Sequence, residues 1–376
     1  MNTPIARWLV ALALLTTVSS CGGGCSGSGA TSPEPTAAPA RLDLPVPIAP
    51  LPEATQRGVC LAHNWQLGGI NGYGSDDSLE SKKELVRLGV RWVSLTPFAW
   101  QKSVTSARVG YDPEMVAGEN DDRLTREIQQ ARQLGLKVML KPHIWINHSE
   151  WRGHIEPDPA EGGWDTWFAT YSAFILHHAR LAEEHQVDAF VIGVELASSS
   201  RSQRARWVAL IDAARAAYSG PITYAANWNE AEQVVFWDKL DWIGGQFFAP
   251  LTDQLDPSYA ELEAGVERQL RGYEALSVQH DKPVVFTEFG FKAIRATALS
   301  PGTWPEHLPD EAKRYDERSQ ALAYAAVLNV AAQKPWLRGL YVWKWFTDVD
   351  TDEEGPLGFS PRRREAARVL SRAFGP

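Results

Sequence analysis

The sequence predicts one (β/α)8 barrel of the TIM type, preceded by an export signal and a flexible linker. From residue 57 onward, about eight short β-rich runs alternate with amphipathic helical segments, which is the pattern of a parallel sheet covered by helices. The folded part spans about 320 residues, a length typical of such a barrel with extended loops. Glycines such as Gly89, Gly135 and Gly220 follow helical segments closely, as expected where a left-handed residue ends a helix.

A doubly wound sheet is the alternative architecture for the same alternation. In that fold a glycine-rich phosphate-binding loop is expected after the first strand. The segment Gly68-Gly69-Ile70-Asn71-Gly72 has neither the GxGxxG spacing nor a Walker lysine. The barrel is therefore favoured.

Residues 1–20 have the pattern of a signal peptide. Arg7 precedes an apolar stretch over 8–18, which is too short to span a bilayer well. The following residues, Val18-Ser19-Ser20-Cys21, resemble the lipobox of bacterial lipoproteins, in which the cysteine carries the lipid. A simple cleaved signal with a nearby cysteine is the alternative.

Residues 21–56 are predicted to form a lipid-anchored flexible linker. The segment is rich in Gly, Ser, Pro, Ala and Thr, so it buries too little apolar surface to offset its conformational entropy. We expect secretion across the inner membrane and attachment to the cell envelope through Cys21, at the outer membrane or cell surface. The lipid is the only expected membrane contact of the barrel domain, residues 57–376.

The remaining elements follow from hydrophobic periodicity and turn residues. The predicted strands are 59–63, 92–97, 137–144, 189–195, 222–227, 242–248, 284–288 and 339–345. The predicted helices are 77–88, 122–134, 163–185, 202–218, 229–238, 258–277, 311–334 and 361–374.

Composition excludes several classes of function. The net charge of -9 and the pI near 5.6 argue against a nucleic-acid partner. The three cysteines stand at 21, 25 and 60 and form neither a disulfide framework nor a CxxC metal site. In a metal-dependent barrel hydrolase the first strand is expected to end in a His-x-His motif, but residue 61, two before His63, is leucine. We expect a monomer without metal or cofactor.

Two glutamates each close an apolar strand. Glu195 ends the fourth predicted strand, on one face with Ala189, Val191 and Gly193, and Glu288 ends the seventh. Catalytic groups of a TIM barrel belong at these carboxyl ends, where the loops build the pocket. An ionised carboxylate there is costly unless it is paired or required. Structural carboxylates held by neighbouring donors are the alternative.

The protein has sixteen tryptophans, and several stand at or just past predicted strand ends. Their flat apolar faces suit either core packing or stacking on sugar rings, and the strand-end positions favour stacking. The candidates are Trp65, Trp100, Trp145, Trp228, Trp343 and Trp345. His143 ends the third strand and either lines a sugar subsite or is structural, whereas Lys141 is expected deeper in the barrel.

Four segments together resemble glycoside hydrolase family 113, a clan A group of TIM-barrel enzymes that includes endo-β-1,4-mannanases. They are Leu140-Lys141-Pro142-His143-Ile144, Gly193-Val194-Glu195-Leu196, Thr223-Tyr224-Ala225-Ala226-Asn227-Trp228 and Tyr341-Val342-Trp343-Lys344-Trp345, within a likeness covering 57–374. The resemblance implies Glu195 as acid/base, Glu288 as nucleophile, a retaining mechanism and a β-1,4-linked polysaccharide such as mannan or glucomannan. Asn227 and Gln246 are further candidate substrate-binding residues.

The sequence departs from this pattern beside both catalytic positions. Most clan A enzymes have asparagine before the acid/base, and here Val194 stands. Phe248 lies in a stretch where relatives carry a tyrosine that hydrogen-bonds the nucleophile, which phenylalanine cannot do. Two other functions therefore stay open: a glycan-binding surface lipoprotein without turnover, and a glycosidase acting on another glycan.

Overall fold

The computed structural model describes residues 46–63, 70–112, 120–146, 150–350 and 353–375. Outside them lie the predicted signal peptide, Cys21, the linker up to residue 45, and the candidate Trp65. The strands are β1 Gln56–Ala62, β2 Trp92–Leu95, β3 Phe98–Gln101, β4 Lys137–Leu140, β5 His143–Ile146, β6 Ala189–Val194, β7 Ile222–Asn227, β8 Ile243–Phe247, β9 Val284–Phe289 and β10 Leu337–Phe346. The helices are α1 Asp76–Arg87, α2 Asp121–Gln133, α3 Gly163–Glu184, α4 Ala197–Ser202, α5 Arg204–Ala217, α6 Tyr259–His280, α7 Glu317–Ala331 and α8 Glu365–Phe374.

Eight parallel strands close into a barrel in the order β1, β2, β4, β6, β7, β8, β9, β10 and back to β1. At the closure, Val59 of β1 lies opposite Val93 of β2 on one side and Val342 of β10 on the other. Helices lie between successive strands along most of the chain. The predicted (β/α)8 barrel is therefore confirmed, and all its strands end at one rim.

The core has two layers, because successive side chains of a strand point to opposite faces. A small cluster fills the barrel: Cys60, Trp92, Met139, Ala189, Val191, Val194, Ala225, Val285 and Tyr341. A much larger cluster packs the outer faces of the strands against the helices, with Phe190, Phe286 and Trp207 among its members.

A proline follows each of two barrel strands. Pro97, the last residue of the second predicted strand, separates β2 from β3, and Pro142 interrupts the third predicted strand between β4 and β5. Proline has no N–H to donate, so it ends a regular strand. Beyond the break, β3 and β5 pair in parallel as a separate two-stranded sheet. The third strand, predicted as continuous, is thus two shorter strands.

The helix predicted over 229–238 is wrong. The segment contains two 3-10 turns, Ala231–Gln233 and Trp237–Lys239. At its start the Glu230 carboxylate folds back to accept the Asn227 N–H at 2.9 Å, a local bond that competes with helix formation. The helix predicted over 202–218 is the short α4 followed by α5.

The folded domain begins before residue 57, the predicted boundary. Leu51 is buried, and its N–H donates to the carbonyl of Ala373 at 2.7 Å. The Asn329 amide donates to the carbonyl of Pro47 at 2.9 Å. Residues 46–55, assigned to the linker from composition, therefore pack on the folded domain, because Val46, Ile48 and Leu51 contact the core and hydrogen bonds hold the backbone. Among the described helices, none is long and apolar enough to cross a membrane.

Candidate active site

Glu195 follows β6 in the left-handed backbone region, with φ of +53°. Its N–H donates to the carbonyl of Ala225 on β7 at 2.9 Å. The next N–H, that of Leu196, donates to the Tyr224 hydroxyl at 2.6 Å. A left-handed residue other than glycine costs about 1–2 kcal/mol, so these bonds hold a turn that the backbone resists.

The end of β6 departs from simple alternation. The pairing with β7 shifts between Val191 and Val194, and Val194 joins the cluster inside the barrel. A Cβ on Gly193 would point outward and meet Trp207 at 2.7 Å. Strict alternation predicted that Gly193 shares the face of Val191, and this prediction is wrong. The left-handed backbone at Glu195 sets the direction of its carboxyl.

A buried network supports this turn from behind. The Tyr224 hydroxyl donates to Glu230 at 2.6 Å, and the same carboxylate accepts from the Ser200 hydroxyl at 2.5 Å. Burial raises the pKa of Glu230 and raises that of Tyr224 well above its ordinary value. Sequence reasoning missed this network, although Tyr224 stands in a segment that carries the family resemblance.

The Glu195 carboxyl is partly buried at the mouth of the barrel. The indole N–H of Trp151 donates to its Oε2 at 3.3 Å. Burial raises the pKa of Glu195 to about 7; the nearby Arg152 guanidinium opposes this rise, and the Glu288 carboxylate adds to it. Near neutral pH this group therefore exchanges a proton readily.

Glu288 lies within β9 and is buried. Its Oε1 contacts the Lys141 ammonium, and the same oxygen is 3.7 Å from Nε2 of His143. Lys141 is fully buried and also donates to the carbonyl of Thr287 at 3.2 Å. Lys141, expected deeper in the barrel, thus belongs to the site.

His143 links the loop after β5 to Glu288. Its Nδ1 accepts from Arg152 at 2.8 Å, so the proton of the neutral ring is on Nε2, which faces Glu288. Burial, with Arg152 and Lys141 nearby, holds the pKa of His143 well below its usual range. A neutral histidine therefore lies between a cation and the carboxylate.

Two of the predicted tryptophans form an exposed platform beside the mouth. Trp100 on β3 and Trp145 on β5 are 38% and 48% exposed, and their ring centroids are 6.5 Å apart. Trp343, on β10, is half-buried and stacks parallel to His143 at 6.4 Å. The Trp343–Lys344 peptide bond is cis.

Trp345 lies elsewhere. It is 2% exposed, packs in the outer cluster, and has the Arg362 guanidinium over its ring at 5.1 Å. Strand alternation predicts that Trp343 and Trp345 share a face, but the pairing of β10 with β1 shifts before Trp345. Since no open face of its ring remains, we leave Trp345 out of the proposed substrate site.

The other candidates lie at the ends of β7 and β8. Asn227 and Trp228 are half-buried, and Oδ1 of Asn227 accepts the Trp228 N–H at 2.8 Å. Gln246 is buried and lies in register between Asn227 and Glu288, and its Nε2 has no hydrogen-bond partner among the described residues. The described residues bring together no three His, Cys, Asp or Glu side chains that could hold a metal ion.

This chain is similar in sequence and in fold to known proteins. The sequence profile of glycoside hydrolase family 113 matches residues 64–357. Two solved structures of GH113 β-1,4-mannanases are 27% identical to this chain. One has a TM-score of 0.74 and covers 85% of this chain and 98% of its own, and the other has a TM-score of 0.72 and covers 86% and 99%.

More distant structures share the fold. The GH113 β-mannanase of Alicyclobacillus acidocaldarius in complex with ManMIm is 24% identical, with a TM-score of 0.72 over 85% of this chain and 97% of its own. The β-glucuronidase of Ruminococcus gnavus is 14% identical, with a TM-score of 0.56 over 85% of this chain and 50% of its own. No protein of curated function matches in sequence.

Proposed function

This chain belongs to glycoside hydrolase family 113, and from that premise we propose a retaining endo-β-glycosidase that cleaves β-1,4-linked mannan or glucomannan. One observation supports the mechanism above all. Glu195 and Glu288 end the fourth and seventh barrel strands in opposite environments, one where burial favours the acid form and one against an ammonium. Such a contrast separates an acid from a nucleophile.

In the first step, protonated Glu195 gives its proton to the glycosidic oxygen while the Glu288 carboxylate attacks the anomeric carbon. The bond to the leaving sugar breaks, and a glycosyl ester on Glu288 forms. In the second step, the Glu195 carboxylate takes a proton from water, whose oxygen attacks the same carbon. The ester bond then breaks and Glu288 is released as a carboxylate.

The proposed substrate rests on the similar structures and on the aromatic surface. The 27% identical structures are β-1,4-mannanases. Trp100 and Trp145 extend the mouth by an exposed apolar sheet, which suits the stacking of successive sugar rings and supports endo action. Trp343, which stacks on His143 and lies against the Lys141 ammonium, is the proposed wall of the central subsite.

The test is hydrolysis of a polysaccharide panel by the purified protein, with mannan, glucomannan, cellulose and xylan as substrates. We expect mixed oligosaccharides from mannan and glucomannan, and first-formed products with the β configuration by proton NMR. First-formed α products would refute retention. Binding without any release of reducing sugar would instead support the glycan-binding alternative, and cleavage of another glycan alone would change the substrate.

Two substitutions test the assignment of roles. Glu288→Ala should abolish turnover, whereas Glu195→Ala should keep part of its activity on aryl glycosides, whose leaving groups need no proton. Glu274→Ala, an exposed glutamate on α6, is the matched control and should behave as the parent. Parent-like rates for both strand-end variants would contradict the mechanism.

A further inference from the structure

Glu288 is buried, so the side chains in contact with it decide how its carboxylate is oriented. Phe248 follows β8, the neighbouring strand, and its ring packs edge-on against Phe359 at 5.7 Å. A phenyl ring offers no donor. Lys141 is the cation in contact with Glu288 among the described residues.

Lys141 reaches Glu288 because Pro142 ends β4 at the barrel mouth. The Lys141 N–H still donates to the carbonyl of Leu95 at 2.8 Å, so its backbone stays in the barrel while the strand stops. Its side chain is fully buried, and the Trp343 ring covers the ammonium at 5.5 Å. The position of the ammonium is therefore set by strand pairing and by packing.

Every donor of this ammonium is used. One contacts Oε1 of Glu288, one donates to the carbonyl of Thr287 at 3.2 Å, and one points at Sγ of Cys60 at 3.5 Å. A buried ammonium is stable only when it is paired and hydrogen-bonded. Because two neutral acceptors complete its shell, its charge is directed to Glu288.

We propose that Lys141 is the positioning residue of the nucleophile, and that its ammonium orients the Glu288 carboxylate. This inference rests on the proposed function, in which Glu288 attacks the anomeric carbon. Lys141 engages Oε1, which leaves Oε2 to form the ester. Its charge also makes this a charge-assisted hydrogen bond, which is stronger than one from a neutral donor.

The charged and titratable groups around Glu288 come from four places in the barrel. They are Lys141 at the end of β4, His143 on β5, Cys60 on β1 and Glu195 after β6. His143 is neutral, and burial raises the pKa of the Cys60 thiol to about 12, so neither carries charge near neutral pH. Among the described residues, Lys141 is thus the cation in direct contact with Glu288.

The experiment compares Lys141→Met, Lys141→Arg and the parent by kcat and KM on glucomannan. For Lys141→Met we expect kcat/KM to fall about 100-fold or more, through kcat and not through KM. Lys141→Arg keeps the charge and should retain more of kcat than Lys141→Met. A parent-like kcat in folded Lys141→Met overturns the inference, as does a loss that appears only in KM.

Lys82 offers a matched control. It is another fully buried lysine paired with a buried carboxylate, Glu127, between α1 and α2. Lys82→Met should lower the melting temperature and leave kcat near that of the parent. An equal loss of kcat in both variants would mean that loss of a buried ion pair acts through general destabilisation, which also overturns the inference.

Lys141→Met has a second test if it does not fold. The double variant Lys141→Met/Glu288→Gln removes both charges, and neutralised buried pairs are usually tolerated. We expect it to fold and to melt above Lys141→Met. Failure of the double variant to fold would show that Lys141 serves the fold independently of Glu288. A parent that cleaves no glycan would refute the proposed function, whereas this comparison of stability still tests the pair.

Discussion

Replacing Tyr224 by phenylalanine tests whether the buried network holds the turn that carries Glu195. The Tyr224 hydroxyl accepts the Leu196 N–H at 2.6 Å and donates to Glu230 at 2.6 Å. Phenylalanine keeps the ring in its place in the outer cluster, so the substitution removes these two bonds and little else.

The expected loss of stability follows from those two bonds. The bond to the Glu230 carboxylate is worth about 1.5–3 kcal/mol, and a buried N–H left without an acceptor at Leu196 costs about 1–3 kcal/mol. We expect the free energy of unfolding to fall by about 3 kcal/mol. With an unfolding entropy of about 2.1 cal/mol/K per residue over roughly 330 ordered residues, the melting temperature should fall by about 4 °C.

Activity should fall as well, because the turn at Glu195 is intrinsically unfavourable. The left-handed conformation costs about 1–2 kcal/mol, and without the network the backbone relaxes away from it. Since about 1.4 kcal/mol corresponds to a factor of ten in rate, kcat should fall about tenfold while KM changes little. The assays are thermal unfolding by circular dichroism and initial rates of reducing-sugar release.

Tyr171→Phe is the control for these measurements. Its hydroxyl donates a single bond, to the carbonyl of Ile192 on β6 at 2.8 Å, and it is equally buried. We expect a loss of about 1 kcal/mol and a parent-like kcat. Equal melting temperatures and equal kcat values for Tyr171→Phe and Tyr224→Phe would refute the reasoning.

Three further predictions concern the site and the anchor. Trp151→Phe removes a donor that lowers the pKa of Glu195, the proposed general acid, so the acid form should persist to higher pH. The basic limb of kcat/KM, near pH 7 in the parent, should therefore move up by about half a pH unit. A downward shift would contradict this sign. Trp145→Ala should raise KM for long manno-oligosaccharides about tenfold and hardly affect aryl mannosides, whereas Trp336→Ala, just before β10 at the opposite rim, should change neither. In cells making the full chain, Cys21→Ser should abolish incorporation of labelled palmitate and Cys25→Ser should not; labelling that survives Cys21→Ser would refute the lipobox assignment.

The sequence by itself determined the barrel and the placement of the two glutamates. Alternating strands and helices specify parallel pairing, and in a closed parallel barrel every strand ends at the same rim. Glu195 and Glu288 therefore had to meet there once their strands were recognised. This inference needed only the direction of the strands, which the alternation of strands and helices along the sequence predicts.

The local sequence pattern did not predict which side chains surround the two glutamates. Lys141 is 147 residues from Glu288 along the chain, and Trp151 is 44 from Glu195. Such contacts depend on which side chains the closed barrel and its loops bring together. Pro142 lies in a strand predicted as continuous, and neither the break that it makes nor the ammonium held at the barrel mouth was predicted.

Register decided the remaining differences. Strand alternation predicts that Gly193 shares a face with Val191 and Trp345 with Trp343. Each of the two residues follows a shift in pairing that changes the face it occupies. A shift of one residue exchanges the two faces of a strand, and it arises from pairing with a neighbouring strand that is distant in sequence. Only the tertiary structure decides such shifts, because the energy that sets them is distributed over both strands and the core between them.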